Sequence, residues 1–300
     1  MMQASAPARP IQSAMAAGPQ VRGRRWQVIK RAVTARLAIV GGLVIAITGL
    51  MAIAAPLVSP YDPLRQDLAN LLAPPSLAHL LGTDNVGRDI MARVIWGARV
   101  SLIAGSGSVA IAVSAGSVLG LAAGYWRGLV DDVVMRVMDA VLSFPALVLA
   151  LALGAVLGAG LGSVLIALGV VYAPTFARLM RGQVLSIRTR EYVDAARLLG
   201  APDWRILVRH VLPNAAAPIV VQASLSVAFA ILAEASLSFL GLGVQPPEPS
   251  WGSIINAGRG YLQQAPWMVF GPGAALFVTV LSLNFVGDAV RDALDPRTRV

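Results

Sequence analysis

The sequence predicts an all-α membrane protein with six transmembrane helices. Hydrophobic residues occupy 57% of its 300 positions and charged residues only 13%, whereas soluble domains carry about 25% charged residues. The mean hydropathy is +0.71. Six separate apolar segments are each long enough to cross a hydrocarbon core about 30 Å thick, which takes roughly 20 helical residues.

The six predicted spans follow one another from about residue 37 to the end of the chain. Glycines recur at four-residue spacing in the second span and around the end of the third, and such spacing allows close helix approach in lipid. We expect kinks where proline interrupts a span. The spans are about 37–58, 101–124, 138–158, 161–180, 215–240 and 268–288, the glycines are Gly116, Gly120, Gly124, Gly154, Gly158 and Gly162, and the prolines are Pro145 and Pro174.

The distribution of Arg and Lys predicts the orientation of the chain. Residues 1–36 carry seven basic and no acidic residues, so this tail is expected in the cytoplasm, without a cleaved signal peptide. Six spans then place 125–137, 181–214 and the C-terminus in the cytoplasm as well. The segments 59–100 and 241–267 are expected outside.

The composition also excludes several classes of function. The formal net charge is +9, and we attribute it to membrane orientation rather than to nucleic-acid binding. The absence of cysteine excludes disulfides and thiolate chemistry. The single lysine, Lys30, stands in "QVIKRA", so no phosphate-binding P-loop is possible. His79 and His210 form no zinc motif, and we expect no catalytic residue, metal or cofactor in this chain.

A charged segment, "EYVDAARLLGAPDWRILVRHVLPN", covers residues 191–214 between the fourth and fifth spans. Its apolar residues recur at helical spacing and predict two short amphipathic helices, with Gly200 ending the first and Pro213 ending the unit. Helices this short need a surface to pack on, either the membrane interface or another protein. The stripes are Tyr192, Ala195, Ala196 and Leu199 in the first helix, and Trp204, Leu207, Val208 and Val211 in the second.

This segment resembles the EAA signature of ABC importer permeases. The match falls on Asp194, Ala195, Ala196, Gly200, Leu212 and Pro213. Asp194 departs from the usual Glu, and His210 departs from the usual Ile. A histidine followed by Leu-Pro-Asn resembles the peptide branch of these permeases.

Other stretches resemble the same branch in the same order. They are "HLLGTDNVGRDIMARVIWGARVSL" from His79, "MRVMDAVLSFPALVLAL" from Met135, "EASLSFLGLGVQPPEPSWG" from Glu234 and "GDAVRDALDPR" from Gly287. The resemblance covers about residues 35–300 and is to the second permease subunit of a dipeptide, oligopeptide or nickel ABC importer. It implies a type I ABC importer permease fold, with a transmembrane permease domain over 37–300 and a cytoplasmic coupling loop over 181–214.

The resemblance also implies partners. These are a second homologous permease subunit, two ABC ATPase subunits that bind ATP and Mg, an extracytoplasmic solute-binding protein and membrane lipid, in a bacterial or archaeal inner membrane. Peptide is the expected substrate, and nickel, glutathione or another small solute are alternatives. The implied ATPase-coupling residues are Glu191, Tyr192, Asp194, Ala195, Ala196, Leu199, Gly200, Leu212 and Pro213, with Asp194 or Glu191 pairing with a basic residue of the ATPase.

Glu234 is the one acidic residue inside a predicted span, where a charge costs about 2.5–3.5 kcal/mol. Two roles remain open. Glu234, with Ser236 and Ser238, is a candidate pathway or gate residue. Alternatively it is a structural partner of one of these serines or of Arg259.

The predicted outer segments carry two further expectations. Residues 79–99 form either a folded cap with internal ion pairs or a solvated loop, and "PPEPSWG" at 246–252 forms a rigid turn with Trp251 at the membrane interface. A secondary transporter and a membrane-embedded enzyme are the alternative functions. The first would need coupling-ion ligands within the membrane, and the second would need paired carboxylates or clustered histidines there.

Overall fold

A computed structural model describes residues 20–294, with side chains from Arg36 onward. The predicted basic tail, residues 1–36, therefore lies almost entirely outside the part whose side chains are described. Within the described part the regular elements are helices, apart from an isolated bridge between Thr83 and Asp89. They are α1 Gln20–Ile53, α2 Ala55–Val58, α3 Ile90–Trp126, α4 Gly128–Leu142, α5 Ala146–Leu157, α6 Leu161–Ile187, α7 Glu191–Leu198, α8 Asp203–Ile206, α9 Leu212–Phe239, α10 Trp251–Gly258 and α11 Trp267–Leu294.

Five helical runs in the described part are long and apolar enough to cross a membrane. They are the second half of α1, α3, α6, the continuous run Asp203–Phe239 and α11. Helices α4 and α5 pass the same test only together, and they are bent by 93° at the break between them. The described part therefore holds five candidate spans, or six if the bent pair counts as one, and the predicted all-α membrane fold is confirmed.

The predicted third span, about 138–158, is not one helix. Helix α4 ends at Leu142 and α5 begins at Ala146. Pro145 lies between them, and its ring disfavours the helical conformation of the preceding residue, Phe144. The kink predicted at Pro145 is therefore a complete break, whereas Pro174 lies inside the uninterrupted α6.

The first glycine series lies at the contact between α3 and α6. A Cβ atom on Gly116 or Gly120 would overlap the backbone carbonyl oxygens of Ala173 and Ala177. A Cβ on Gly124 would lie 2.8 Å from Cβ of Val184. The predicted close approach of helix backbones is confirmed here.

The second glycine series does not pack in this way. A Cβ on Gly154 would make only ordinary contact with Leu242, at 3.6 Å, and Gly158 and Gly162 have open space around them. Gly158 instead has φ +86° in the turn between α5 and α6, a conformation that glycine adopts without steric cost. The spacing alone therefore did not identify a helix contact.

We expect Gly120→Ala to destabilise the bundle, because the added methyl group would meet the backbone of α6. Overpacking of this kind costs about 1–3 kcal/mol, and the thermal unfolding midpoint in detergent should fall. Gly182→Ala on α6 is the matched control, since nothing lies within 4 Å of its Cβ position. Equal midpoints for the two variants would contradict the assignment of this contact.

The segment before α3 folds into a cap at one end of the bundle. Arg88 Nε lies 2.6 Å from a carboxylate oxygen of Asp84, Arg93 Nε lies 3.9 Å from the same oxygen, and His79 Nδ1 lies 2.9 Å from Asp89. Of the two alternatives for residues 79–99, these contacts match the folded cap with internal ion pairs. Because α3 begins at Ile90, the last part of the predicted loop, including Arg93, is helical.

Trp251 belongs to the interior of this end rather than to a membrane interface. Its side chain is buried, and its indole N–H donates to the backbone carbonyl of Val94 at 3.0 Å. The predicted interfacial position is therefore wrong. Burial is possible because the carbonyl satisfies the indole donor.

The two predicted cytoplasmic segments meet at the opposite end. The Arg181 guanidinium binds the carboxylate of Asp131 through two hydrogen bonds, of 2.5 and 2.6 Å. Tyr125, at the end of α3, contacts Asp203 of α8. Segments 125–137 and 181–214 therefore share one end of the bundle, which we call the arginine-rich end because 181–214 carries six Arg against three acidic residues.

Candidate functional site

Helices α7 and α8 form a hairpin, residues 191–206, at the arginine-rich end. Helix α7 stops through a Schellman motif, in which Ala201 N–H donates to Ala196 at 3.0 Å and Gly200 N–H donates to Arg197 at 2.9 Å. Gly200 has φ +76° and open space around its Cβ position. The predicted stop at Gly200 is confirmed, and it depends on backbone conformation rather than on space.

One face of α7 presents apolar side chains to the surroundings. Leu198 and Leu199 are 89% and 88% exposed, and Tyr192 is 39% exposed. Ala195 is exposed on the same helix. We call these four residues the hairpin tip. Burying a leucine side chain contributes about 1.5–3 kcal/mol, so two fully exposed adjacent leucines form a surface suited to a partner.

The other face of α7 anchors the hairpin. Val193 is completely buried, and Ala196 packs against the same apolar cluster. The predicted stripe is therefore divided, because Tyr192, Ala195 and Leu199 point outward while Ala196 faces the bundle. Sequence reasoning missed Val193 and Leu198, although the spacing of Val193, Ala196 and Gly200 would have indicated a second, inward stripe.

The acidic residues of α7 lie on the exposed side. Asp194 pairs with Arg197 one turn later, at 3.1 Å, and both side chains are partly exposed. Exposed pairs of this type contribute little to stability. Asp194 therefore has a partner within its own chain, while Glu191 is exposed in the first turn.

The chain does not break after the hairpin. Residues Leu207–Val211 form a π-helical turn, in which Leu212 N–H donates to the carbonyl of Leu207, and α9 follows directly. Pro213 thus lies within a continuous helical run, two residues after the π-helical turn, and the prediction that it ends the unit is wrong. Leu212 and Pro213 are exposed there and are not part of the hairpin tip.

The predicted apolar stripe of the second helix also divides. Leu207 and Val211 are buried, whereas Trp204 and Val208 are 62% and 59% exposed. A π-helical turn has a longer period than an α-helix. The α-helical spacing therefore assigned all four residues to one face when they lie on two.

Glu234 lies in the interior of the helical bundle. Its side chain is fully buried, and its carboxylate accepts hydrogen bonds from Ser101 of α3 at 2.9 Å and from Ser238 at 2.7 Å. Arg259 lies over the ring of Phe239 instead. These contacts are the ones expected of the structural alternative, in which Glu234 joins α9 to α3.

Ser236 lies on a different face of α9 from Glu234. Its hydroxyl donates to the carbonyl of Leu232 at 2.8 Å. It lines a cavity of about 210 Å³ between α5, α6 and α9, together with Tyr172, Phe229 and Leu232. Of the three predicted pathway residues, Ser236 alone is among those lining this cavity.

Fold and site together define a multi-pass helical membrane protein that exposes an apolar hairpin tip at its arginine-rich end. Residues 116–300 match the model of the family "Binding-protein-dependent transport system inner membrane component", and residues 25–75 match the N-terminal transmembrane domain of oligopeptide transport permease C. The chain belongs to this family of inner membrane transport components. It is a permease and not itself an ATPase, and the predicted resemblance is confirmed.

Curated relatives are similar over most of their length. A putative peptide transport system permease protein of Brucella suis is 45% identical over 87% of this chain and 88% of its own. A dipeptide transport system permease protein of Alkalihalophilus pseudofirmus is 43% identical over 88% and 87%. A glutathione transport system permease protein of Pectobacterium atrosepticum is 42% identical over 90% of both chains.

A solved structure shows the same fold. A chain of the inward-facing MetNI methionine ABC transporter superposes with a TM-score of 0.55 at 20% identity, covering 69% of this chain and 98% of that one. The predicted type I ABC importer permease fold is confirmed. The family membership favours an importer permease over the secondary transporter and the membrane-embedded enzyme.

Proposed function

We propose that this chain is the membrane-spanning permease subunit of an ATP-driven importer for small peptides, powered by ATPase subunits docked on the hairpin. The observation that carries the proposal is the hairpin tip. Its leucines are exposed in the isolated chain, while Val193 on the opposite face ties the same helix to the bundle. A surface built in this way can transmit force from a docked partner to the spans.

The assembly and its orientation follow from this proposal. Two ABC ATPase subunits would bind ATP and Mg, a second homologous permease would complete the pathway, and an extracytoplasmic solute-binding protein would deliver the substrate. The arginine-rich end would face the cytoplasm, in agreement with the tendency of Arg and Lys to remain inside. Both termini would then be cytoplasmic, in a bacterial or archaeal inner membrane.

The substrate proposal rests on the relatives. Two of the three described above are named for peptide or dipeptide transport, and glutathione is itself a small peptide. Peptide is therefore the substrate class that the similarities support best. Selection among peptides would rest largely with the binding protein.

We further propose that the face of α9 carrying Ser236 lines the pathway. The chain has no cysteine, so labelling of this chain reports a single introduced thiol. In the assembled importer, we expect Ser236→Cys to react with a membrane-impermeant thiol reagent faster than Ser238→Cys. Ser238 is the matched control because it is buried against Glu234 on the same helix. Equal reaction rates would contradict the assignment of this face.

The function itself is tested by purification and reconstitution. The tagged chain would be purified from its native cells in mild detergent, and the proteins recovered with it would be identified by mass spectrometry. We expect a second permease and ATPase subunits, and ATP-dependent uptake of a labelled dipeptide into liposomes when the binding protein is added. Recovery of the chain alone, with transport that needs no ATP, would refute the proposal.

A further inference from the structure

We propose that Tyr125 is a positioning residue that latches the hairpin to α3, so that hairpin displacement reaches the membrane bundle through this side chain. The inference rests on the proposed function and names a transmission point within it. Tyr125 is in the last turn of α3 and is buried. Tyr125 lies outside the signature, Asp194 to Pro213, by which the hairpin was identified in the sequence.

The Tyr125 hydroxyl makes a direct bond to the hairpin. It donates to Oδ1 of Asp203, the first residue of α8, at 2.6 Å. A hydrogen bond from a hydroxyl to a carboxylate at this length is charge-assisted, and it is stronger and more directional than a bond between neutral groups. It joins residues 78 positions apart.

Two arginines tie the same tyrosine to the elements on either side. The Arg188 guanidinium, directly after α6, donates to the carbonyls of Tyr125 at 3.0 Å and Gly124 at 3.2 Å. The Arg197 guanidinium of α7 lies 5.8 Å from the centre of the Tyr125 ring, within the range of a cation–π contact. Tyr125 therefore contacts α7, α8 and the end of α6 at once.

Apolar packing and polar bonds have different roles at this point. Val193, Ile206 and Tyr125 belong to one buried apolar cluster, and the attraction within such a cluster has no preferred direction. The bond between Tyr125 and Asp203 has a defined direction. It therefore adds a directional constraint on the position of the hairpin relative to α3, beyond what the apolar cluster provides.

Helix α3 is suited to carry the displacement further. Its 37 residues span about 55 Å at 1.5 Å per residue. At its far end Val94 accepts the bond from the Trp251 indole and Arg93 lies close to Asp84. A movement of the hairpin that is transmitted to Tyr125 would therefore reach the cap through a single helix.

The test measures coupling in the assembled complex of permeases, ATPases and binding protein. Tyr125→Phe should leave complex yield and basal ATP hydrolysis near those of the wild type, because the hairpin tip faces away from the latch. The stimulation of hydrolysis by the peptide-loaded binding protein should fall at least about tenfold, the lower end of the range for a hydrogen bond to a charged group. Uptake per ATP should fall in parallel. Tyr261→Phe, at the cap end, is the matched control.

Variants of Asp203 distinguish a latch from general packing. Asp203→Ala should reproduce the loss seen with Tyr125→Phe, and the double variant should be no worse than either single one, as expected when both changes remove one interaction. Asp203→Asn should fall between the wild type and Asp203→Ala, because its amide oxygen still accepts a hydrogen bond from the tyrosine hydroxyl but the bond is no longer charge-assisted.

Three results would overturn the latch. They are unchanged stimulation in Tyr125→Phe, strictly additive losses in the double variant, and failure of both single variants to assemble, which would assign Tyr125 to folding. All three leave the proposed function standing if the wild-type complex couples ATP hydrolysis to uptake. A wild-type chain that recruits no ATPase would refute the proposed function instead.

Discussion

Replacing both tip leucines by aspartate, Leu198→Asp with Leu199→Asp, is expected to abolish ATP-dependent uptake and recovery of the ATPase subunits. Burial of each leucine against a partner contributes about 1.5–3 kcal/mol, and a carboxylate in that contact would be desolvated without a partner. The combined loss corresponds to an affinity at least about 100-fold weaker. Co-purification of the ATPases with the tagged chain measures it.

The fold itself should survive this double change. Both leucines are almost fully exposed in the chain, so the substitution removes few internal contacts. Leu68→Asp with Leu77→Asp is the matched control, because these leucines are 73% and 99% exposed near the opposite end. The control should retain the ATPases. Equal ATPase recovery from the tip variant and the control would remove the main support for docking at the tip.

Asp84→Ala is expected to have the largest effect on stability. The Asp84 carboxylate accepts hydrogen bonds from Arg88 Nε at 2.6 Å and from the amides of Val86 and Arg88 at 2.9 Å each, and Arg93 lies close by. Both arginines are largely buried. Removing one partner of a buried ion pair costs about 3–5 kcal/mol, because the remaining charge is left without compensation.

A loss of this size is a large share of the 5–15 kcal/mol that holds a typical domain folded. The amount of folded protein in the membrane and its unfolding midpoint in detergent should both fall sharply. Asp67→Asn in the same segment is the control, since Asp67 bonds only to nearby groups, the Ala69 amide and the Asn70 side chain. If Asp84→Ala is as stable as the control, the cap is not held together by its buried charges.

A double variant distinguishes the effect of an unpaired buried charge from the effect of removing the Asp84 side chain itself. Asp84→Ala combined with Arg93→Met removes the carboxylate together with the more deeply buried of its two arginines. We expect this double variant to be more stable than Asp84→Ala alone, because one of the two buried charges that lost their partner is gone and only Arg88 remains.

Local chemistry explains which parts of the fold could be predicted from sequence. The apolar spans could be predicted, and so could the charged segment between the fourth and fifth of them. Each depends only on the composition of about 20 consecutive residues. The helix stop at Gly200 depends on its immediate neighbours. Trp251 could not be placed in the same way, because its burial depends on a carbonyl of Val94, 157 residues away.

The same distinction applies to the glycines and to the hairpin. Gly116 and Gly154 stand in identical spacing patterns, but only Gly116 faces a neighbouring backbone. In α7, the periodicity identified an amphipathic helix without deciding which side faces the bundle. Which side faces inward is decided by contacts with residues distant in sequence, such as Tyr125 at the end of α3, which packs in the same cluster as Val193. The periodicity alone therefore did not identify Leu198 as part of the exposed tip.

Single-cysteine cross-linking along residues 192–199 tests the central claim most directly. The chain contains no cysteine, so each cross-link formed by this chain reports one introduced position. The account predicts that cysteines replacing Ala195, Leu198 and Leu199 cross-link to an ATPase subunit, while a cysteine replacing the buried Val193 does not. Cross-links to lipid or to the permease partner alone, with none to an ATPase from any tip position, would contradict it.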